Sequence, residues 1–276
     1  MKFIIEKKEK VKQFATIFRH AKSLCENVNL YLNDIGLYIQ GMTSCHTSLF
    51  ELKLSNDWFA EYICERDKII GVNCELLFKC IDCLQEGQKI IISQVKDRLC
   101  LQFTGGKNNI DKNFEMPLIT LEEERLEVPA ADYDTDITID SHKFTELINE
   151  LSIFGEDIRM NCVNNQDDSV FTLTGSGIST GSMIVNIKEE DMIEWCCLDN
   201  LNLNLLFSVE YLKNICQFSK INRCLILSIS ENLPLRISYS LSSWMDKATK
   251  GEKEEIDTTM DESNNITFFV APKIED

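Results

Sequence analysis

The predicted order of secondary-structure elements occurs twice along this chain, and this repetition restricts the fold more than any single motif does. Residues 8–24 predict an amphipathic helix, which is followed by strand-like runs, a second helix over 74–84 and further strand-like runs. The same order returns with a helix over 141–155, N-capped by Ser141, then strands, a short helix over 208–218 and strands again. We therefore predict an α+β fold of two similar domains, each with helices on one side of antiparallel sheets.

An acidic segment without clear periodicity separates the two halves. The stretch "LITLEEERLEVPAADYDT" contains Pro129 and has the composition of a connecting loop. We predict a first domain over 1–117, a connecting loop over 118–135 and a second domain over 136–276. A polar stretch at about 244–265 is predicted to be a surface insertion in the second domain.

The chain is strongly acidic, with a formal net charge of −17 at pH 7. Phosphate contacts require a surplus of Lys and Arg on the contacting surface, so this balance argues against general nucleic-acid binding. Net charge does not describe how the charges are distributed, however, and the first helix places Lys12, Arg19 and Lys22 on one face. A solvated helix face is the commoner explanation of such a row, so charge alone leaves a nucleic-acid role open.

The cysteines, histidines and short motifs do not predict a catalytic or metal site. The 12 cysteines include one CxxC pair, Cys80 and Cys83, but no second pair and no histidine pair accompanies it at zinc spacing. No phosphate-binding glycine loop, HExxH or GxSxG motif occurs. We expect reduced thiols, no metal, no cofactor and no enzymatic activity. The alternative is a thiol- or metal-dependent enzyme that uses Cys80, Cys83 or Cys45 with His46.

The apolar segments are short. None approaches the length of a membrane-spanning helix, and the opening "MKFIIEKKEK" has too short an apolar stretch for a secretory signal. We therefore expect an intracellular protein with no membrane partner, which agrees with the expectation of reduced cysteines.

Six stretches, taken in order, resemble the proliferating cell nuclear antigen (PCNA) family, the sliding clamps of eukaryotes and their viruses. They are "GLYIQGMTSCHTSLFELKL", "ERDKIIGVN", "FEMPLITLEEERLEVPAADY", "SHKFTELINELSIFG", "ENLPLRISY" and "APKIED". The resemblance covers nearly the whole chain apart from the insertion. It implies a DNA-clamp fold that assembles as a homotrimeric ring, with helices lining the hole and sheets outside. Such a ring encircles double-stranded DNA without reading its sequence and tethers the replicative polymerase.

The resemblance also implies that cations on the helices face the hole and contact DNA. The implied channel residues are Lys12, Arg19, Lys22, Lys79, Lys143, Lys213 and Lys220. The family often carries basic residues at four positions that are here Glu146, Asn149, Glu210 and Gln217. We therefore expect a less positive channel than is usual, while topological linkage to DNA does not require tight binding.

A partner-binding pocket is implied between the end of the chain, the connecting loop and the "GMTSCH" loop. The implied pocket residues are Met42, His46, Leu126, Val128, Pro129, Tyr133, Pro234, Phe269, Ala271, Pro272, Lys273 and Ile274. Family clients insert a short helical plug with aliphatic and aromatic anchors, and the backbone at Lys273 and Ile274 would bond an extended client segment. The residues alone leave open that Phe269 and Leu126 are ordinary core residues.

The trimer contacts are implied at two sheet edges. The strand around Phe114 would meet the strand of a neighbour that spans Gly175 to Met183, which would bury two open edges. The implied interface residues are Cys80, Cys83, Phe114, Leu151 and Ile153.

The implied partners are a clamp loader and clients that carry short PCNA-interacting peptides, namely DNA polymerase, a flap nuclease and a ligase. The implied location is the nucleus, or a viral replication compartment if the gene is viral. Asn164 stands where eukaryotic members commonly carry a modifiable lysine. Two alternatives remain: a monomeric or heterotrimeric clamp relative in processivity or checkpoint signalling, and a scaffold that never encircles DNA. We hypothesise that the insertion tunes client choice.

Overall fold

The structure is a computed structural model of the chain. It describes residues 1–43, 45–122, 125–165, 169–241 and 262–274. The predicted insertion at about 244–265 lies outside the described residues except at 262–265, so its predicted role stays a hypothesis.

The first half of the chain follows the predicted order of helices and strands. Its elements are β1 (Lys2–Ile5), α1 (Lys8–Ala21), β2 (Asn27–Leu32), β3 (Gly36–Met42), β4 (Ser48–Ser55), a 3₁₀ turn (Asn56–Trp58), β5 (Glu61–Ile63), β6 (Lys68–Asn73), α2 (Cys74–Ile81), β7 (Lys89–Val95), β8 (Arg98–Thr104) and β9 (Lys112–Pro117).

The second half repeats that order after the connecting loop. Its elements are β10 (Thr135–Asp140), α3 (Ser141–Leu151), β11 (Asp157–Asn164), β12 (Ser169–Gly177), β13 (Gly181–Lys188), a 3₁₀ turn (Glu189–Asp191), β14 (Glu194–Cys197), β15 (Leu201–Ser208), α4 (Val209–Cys216), a 3₁₀ turn (Gln217–Lys220), β16 (Cys224–Ile229), β17 (Leu235–Ser240) and β18 (Asn264–Val270).

The strands form three antiparallel sheets. One sheet consists of strands of the first half only, in the order β5-β1-β7-β8-β9. A second sheet consists of strands of the second half only, in the order β13-β12-β11-β15. The third sheet has nine strands in the order β14-β10-β16-β17-β18-β4-β3-β2-β6 and contains strands of both halves. The two halves meet where β18 pairs with β4, from Asn264 opposite Leu54 to Val270 opposite Ser48.

The helices bury one apolar stripe against these sheets. On α1, Val11, Phe14, Phe18 and Ala21 recur at helical spacing and are buried. Burying one such phenylalanine contributes about 2–3 kcal/mol, so the stripe holds the helix in place. The amide of Gln13, also buried on α1, donates to the Ile221 carbonyl at 3.2 Å and ties this helix to the second half.

The structure confirms the predicted α+β class and corrects two details at the helix ends. Ser141 is the first residue of α3 and is not its cap, because the Asp140 carboxylate accepts from the backbone N–H groups of His142 and Lys143 at 3.0 Å. The Ser141 hydroxyl donates instead to the Asn222 carbonyl at 2.6 Å. All four α-helices are also shorter than predicted, since α1 ends at Ala21, α2 at Ile81, α3 at Leu151 and α4 at Cys216, where a 3₁₀ turn follows.

Candidate DNA channel and partner pocket

The helices of both halves form one contiguous group. α1 packs beside α2, α3 packs beside α4, and the 3₁₀ turn Gln217–Lys220 contacts α1, α3 and α4. All seven predicted channel cations lie on or directly beside these elements. Arg19 is partly buried and the other six side chains are exposed, namely Lys12, Lys22, Lys79, Lys143, Lys213 and Lys220.

Carboxylates on α2 and at its C-cap partly neutralise three of these cations. The Nε atom of Arg19 lies 3.8 Å from Asp82 Oδ1, and Lys22 Nζ lies 3.7 Å from Glu75 Oε2. Lys79 Nζ lies 3.5 Å from the other oxygen of Glu75. Exposed ion pairs of this kind are weak, so a DNA phosphate can replace the carboxylate at modest cost.

The second half supplies cations with fewer acidic partners. Within the described ranges, Lys143 and Lys220 have no carboxylate at ion-pair distance, and Lys213 Nζ donates to the Ser152 hydroxyl at 3.2 Å. Glu146 and Glu210 are exposed on the same helices. The helix surface is therefore mixed in sign and more positive than a chain of net charge −17 would be on average.

His20 adds little positive charge to this surface at neutral pH. Burial lowers the pKa of His20, and although a hydrogen bond with Gln217 raises it, the nearby Lys220 and Arg19 lower it again. The ring packs against Phe218 at 5.6 Å between centroids. Because the ordinary histidine pKa of about 6.5 is already below 7, a lowered pKa leaves His20 mostly neutral at pH 7.

The floor of the predicted pocket is a row of side chains across four neighbouring strands. Met42 on β3 lies opposite Leu49 on β4, which lies opposite Phe269 on β18, which lies opposite Arg236 on β17. All four are partly buried. Directly opposed residues share one face of a sheet, so the three apolar side chains form a continuous patch.

Leu49 belongs to this patch and was missed by the sequence analysis. Its signal was available, because period-two alternation along β4 puts Leu49 on one face with Glu51 and Lys53. Leu49 is the apolar residue of a face that is otherwise polar along β4, so the sheet surface becomes hydrophobic at this end of the strand.

The connecting loop and the β16–β17 turn form the sides of the pocket. Leu126 is 48% exposed, and both its backbone N–H and its carbonyl bond to the Gln40 side chain at 2.8 Å. The Tyr133 hydroxyl donates to the Pro234 carbonyl at 3.0 Å, and the Arg236 guanidinium lies 4.5 Å from the Tyr133 ring centroid. These contacts bring loop residues toward the patch from two directions. Val128 is partly buried and Pro129 is exposed between them.

The segment after β18 is docked, which corrects one expectation. The N–H of Ala271 donates to the Thr47 carbonyl at 3.0 Å, and the N–H of Lys273 donates to the Leu206 carbonyl at 2.7 Å. The Lys273 side chain forms an ion pair with Asp157. The sequence analysis expected the backbone at Lys273 to bond a client segment. In the structure the Lys273 N–H is already bonded to Leu206 and cannot do so. Pro272 is partly buried and Ile274 is exposed.

The loop between β3 and β4 places Cys45 and His46 at the pocket but does not pair them. His46 has a φ of 57°, and its Nδ1 lies 2.8 Å from the Met42 sulfur. The Cys45 sulfur contacts the hydroxyls of Thr47 at 3.0 Å and Tyr211 at 2.7 Å. These hydroxyls, with that of Thr43, lower the pKa of the Cys45 thiol to about 6. Among the residues that the structure describes, no histidine contacts the Cys45 sulfur.

The predicted interface residues divide into exposed and buried ones. Phe114 on edge strand β9 is partly buried, while Cys83 and Ile153 are exposed. Cys80 and Leu151 are buried in the core of the protomer, so their assignment as interface residues is wrong.

The predicted interface strand also needs a correction. Gly175 lies on β12, which pairs with β11 on one side and β13 on the other, so Gly175 is not at an edge. Within the predicted range the edge strand is β13, which contains Met183, and β15 is the other edge strand of this sheet.

Neither a metal-binding cluster nor a membrane-spanning helix occurs among the described residues. No group of three or more His, Cys, Asp and Glu side chains is arranged to hold a metal ion. No helix in the described part is long and apolar enough to span a membrane.

Helices with a mixed, locally basic surface, on sheets that join two repeated halves, agree with the fold of a DNA sliding clamp. The family model "Proliferating cell nuclear antigen, N-terminal domain" matches residues 6–125, and "Proliferating cell nuclear antigen, C-terminal domain" matches residues 127–250. The chain therefore belongs to the PCNA family.

Similar proteins cover almost the full chain at low identity. "Proliferating cell nuclear antigen 2" of Plasmodium falciparum is 24% identical over 271 residues, which are 95% of this chain and 96% of that protein. "Proliferating cell nuclear antigen" of Chaetomium thermophilum is 26% identical over 262 residues, 92% of each chain. The protein of that name from Dictyostelium discoideum is 25% identical over 269 residues, 94% of this chain and 95% of the other.

Family membership settles the general function. The chain is a DNA sliding clamp, a processivity factor of DNA replication and repair, and it is not an enzyme. DNA and a polymerase are its classes of partner, and the family acts as trimers. Its homologues are DNA replication factors, which implies that it acts in the nucleus.

Proposed function

We propose that three copies close into a ring when β9 of one protomer pairs with β13 of the next. The observation that carries this proposal is the match between two open edges, each at the end of a sheet that belongs to one half. Joining the five-stranded and four-stranded sheets makes nine strands, the same number as in the sheet that joins the halves within a protomer. A head-to-tail contact closes into a ring when its repeated rotation completes a full turn, which for three copies requires 120° per protomer.

Exposed apolar residues near these edges support the same proposal. Ile153, just after α3, is 69% exposed, and Ile184 on β13 is 63% exposed. Ile178 in the β12–β13 turn is fully exposed, and Ile110 lies just before β9 with 77% exposure. Apolar residues clustered beside unpaired strand edges are typical of protein interfaces.

We propose that the helix surface lines the hole of this ring and holds DNA by its phosphates. Lys12, Lys143 and Lys220 would contact phosphate directly, and Arg19, Lys22, Lys79 and Lys213 would exchange their present partners for phosphate. Contacts of this kind position a protein on DNA without reading base sequence.

The encircling of DNA is tested on nicked circular plasmids. Protein loaded onto a circle by a clamp loader is expected to co-elute with the DNA through gel filtration at high salt, because a closed ring has no exit. Cutting the circle once with a restriction enzyme is expected to release the protein. Equal retention on circular and linear DNA would contradict encirclement and favour a clamp relative held by direct contact.

The acidic positions of the channel are expected to weaken its contact with DNA. In the double variant Glu146→Lys and Glu210→Lys, binding of a short duplex is expected to tighten by tenfold or more at low salt. Each added phosphate contact steepens the slope of log affinity against log salt by about 0.9. Fluorescence anisotropy across a salt series measures both quantities.

The matched control reverses two carboxylates away from the helices, with Glu189→Lys and Glu190→Lys in the 3₁₀ turn after β13. This variant has the same net charge as the channel variant. An equal gain in affinity from both variants would show that DNA does not contact the helix surface specifically.

We propose further that the patch of Met42, Leu49 and Phe269, with Leu126 and Pro234 beside it, binds peptides of client proteins. An apolar patch beside prolines provides anchor sites for aliphatic and aromatic side chains. The proposed clients are a replicative polymerase, a flap nuclease and a ligase, with a clamp loader using the same face. The proposed location is the nucleus, or a viral replication compartment if the gene is viral.

A further inference from the structure

Gln40 forms a two-point contact with the backbone of the connecting loop. Its side-chain N–H donates to the Leu126 carbonyl and its side-chain oxygen accepts from the Leu126 N–H, both at 2.8 Å. One side chain thus pairs with Leu126 as a neighbouring strand would. Gln40 lies on β3 two residues before Met42 and shares its face of the sheet, so it is next to the pocket floor.

A buried polar network holds Gln40 and the loop in this arrangement. The other side-chain N–H of Gln40 donates to the Tyr38 hydroxyl at 3.0 Å, and that hydroxyl donates to the buried Glu51 carboxylate. The Arg125 guanidinium lies 4.0 Å from the centroid of the Tyr38 ring. Arg125 therefore brings a positive charge from the loop toward a buried carboxylate of the sheet, in addition to its cation–π contact.

These contacts are the main attachment of the loop. Among the described residues between Thr120 and Asp132, the polar contacts to the rest of the chain are those of Arg125 and Leu126. The loop is next held at its two ends, where Ile119 bridges Gly71 and the Tyr133 hydroxyl bonds to the Pro234 carbonyl. Without Gln40 and Tyr38, the middle of the loop would have no polar attachment in the described part.

We propose that Gln40, supported by Tyr38 and Glu51, is a positioning residue that holds Leu126 over the client pocket and thereby sets client affinity. The inference rests on the proposed peptide-binding function of the patch. If the loop is already fixed before the client binds, binding does not have to offset the conformational entropy that is lost when the loop becomes ordered. The backbone ladder of β3 and β4 does not depend on this side chain, so its loss leaves the sheet intact.

The first variant is Gln40→Leu, which keeps the side-chain size and removes both bonds to Leu126. An arginine-specific protease reports on the loop, since cleavage after Arg125 releases a fragment of residues 1–125 that mass spectrometry identifies. We expect this cleavage to become at least tenfold faster, while cleavage after the exposed loop residue Arg66 keeps its rate as an internal reference. Tyr38→Phe keeps the ring beneath Arg125 and removes the hydroxyl, so it should give a smaller increase.

The same variants are tested for client binding with a fluorescent peptide that carries the aliphatic and aromatic anchors of a clamp-binding plug. Losing one or two hydrogen bonds to the loop is expected to lower the affinity for the peptide by about fivefold to thirtyfold. Thr267→Val is the matched control, because Thr267 is buried opposite Glu51 on β18 and does not bond to the loop.

The outcomes separate this inference from the pocket itself. Faster cleavage after Arg125 and weaker peptide binding in Gln40→Leu, with an unchanged melting temperature and mass, would support the positioning role. Tight binding by the wild type that Gln40→Leu leaves unchanged would overturn it and leave the pocket in place. Absence of peptide binding by the wild type would overturn the pocket proposal, and the protease result alone would then show whether Gln40 holds the loop.

Discussion

Replacing Phe114 by Ala is expected to convert the trimer into smaller species at micromolar protein. Phe114 lies on edge strand β9, and its ring packs 5.4 Å from that of Phe103, so it is fixed in place at the edge that the proposed neighbour covers. Truncating a central aromatic residue of an interface commonly costs about 2 kcal/mol or more, and a three-membered ring contains that interface three times. Light scattering across a concentration series measures the mass of the assembly. A trimer has a mass near three times 31.8 kDa, and we expect a lower mass for the variant.

Two further variants make this result specific to the edge. Ile184→Glu on β13 changes an exposed residue of the opposite edge, so it should also prevent assembly without affecting the fold of the protomer. Ile69→Ala removes an equally exposed isoleucine from β6, an edge strand that the proposed ring does not use. The head-to-tail pairing would be refuted by a stable trimer in the Phe114 and Ile184 variants, or by equal loss in the Ile69 variant.

Replacing Phe269 by Ala is expected to remove most of the affinity for client peptides. Phe269 is the aromatic member of the patch, lies between Leu49 and Arg236 in the cross-strand row, and has a partly exposed side chain. The loss of such an anchor costs about 2–4 kcal/mol in peptide interfaces, which weakens binding by about 30-fold to 1,000-fold. Isothermal titration calorimetry with one synthetic client peptide measures the change.

The control for this variant is Trp195→Ala. Trp195 is a partly buried aromatic residue of the same sheet, but it lies on β14 at the far end from β3 and β4. Both variants should keep the mass of the assembly. If Phe269→Ala binds the peptide as tightly as Trp195→Ala, then Phe269 is a structural residue and the pocket lies elsewhere.

The sequence predicted helices and strands well because each is set by local spacing. The apolar stripe of α1 begins and ends within a few residues of the observed helix, and the repeated order of elements is present in the structure. The errors arose where the answer depends on residues far away in the chain. Cys80 and Leu151 were assigned by resemblance to an interface, and only the packed structure shows that the core of the protomer covers them.

The candidate site was predicted only in part, because many of its contacts also join residues that are far apart in the chain. The resemblance located residues around the pocket, and the cross-strand row confirms only that Met42 and Phe269 lie near each other. The sequence could not show that the Lys273 N–H is used by Leu206, because this bond joins distant segments. It also could not show that Glu75 lies between Lys22 and Lys79, which sets the charge of the helix surface.

The position of β18 has a consequence for synthesis of the chain on the ribosome. This strand lies between β17 and β4, yet it is made after both of them, and Asn264 pairs with Leu54 across 210 residues of sequence (264 − 54). Until β18 emerges, the two halves have no shared sheet, and β4 and β17 both present unpaired edges. Contacts this distant in sequence form slowly, and open edges bind other strands in the meantime. The joint between the halves is thus completed only after β18 has left the ribosome, and a chaperone that covers the edges of β4 and β17 would be most useful before that point.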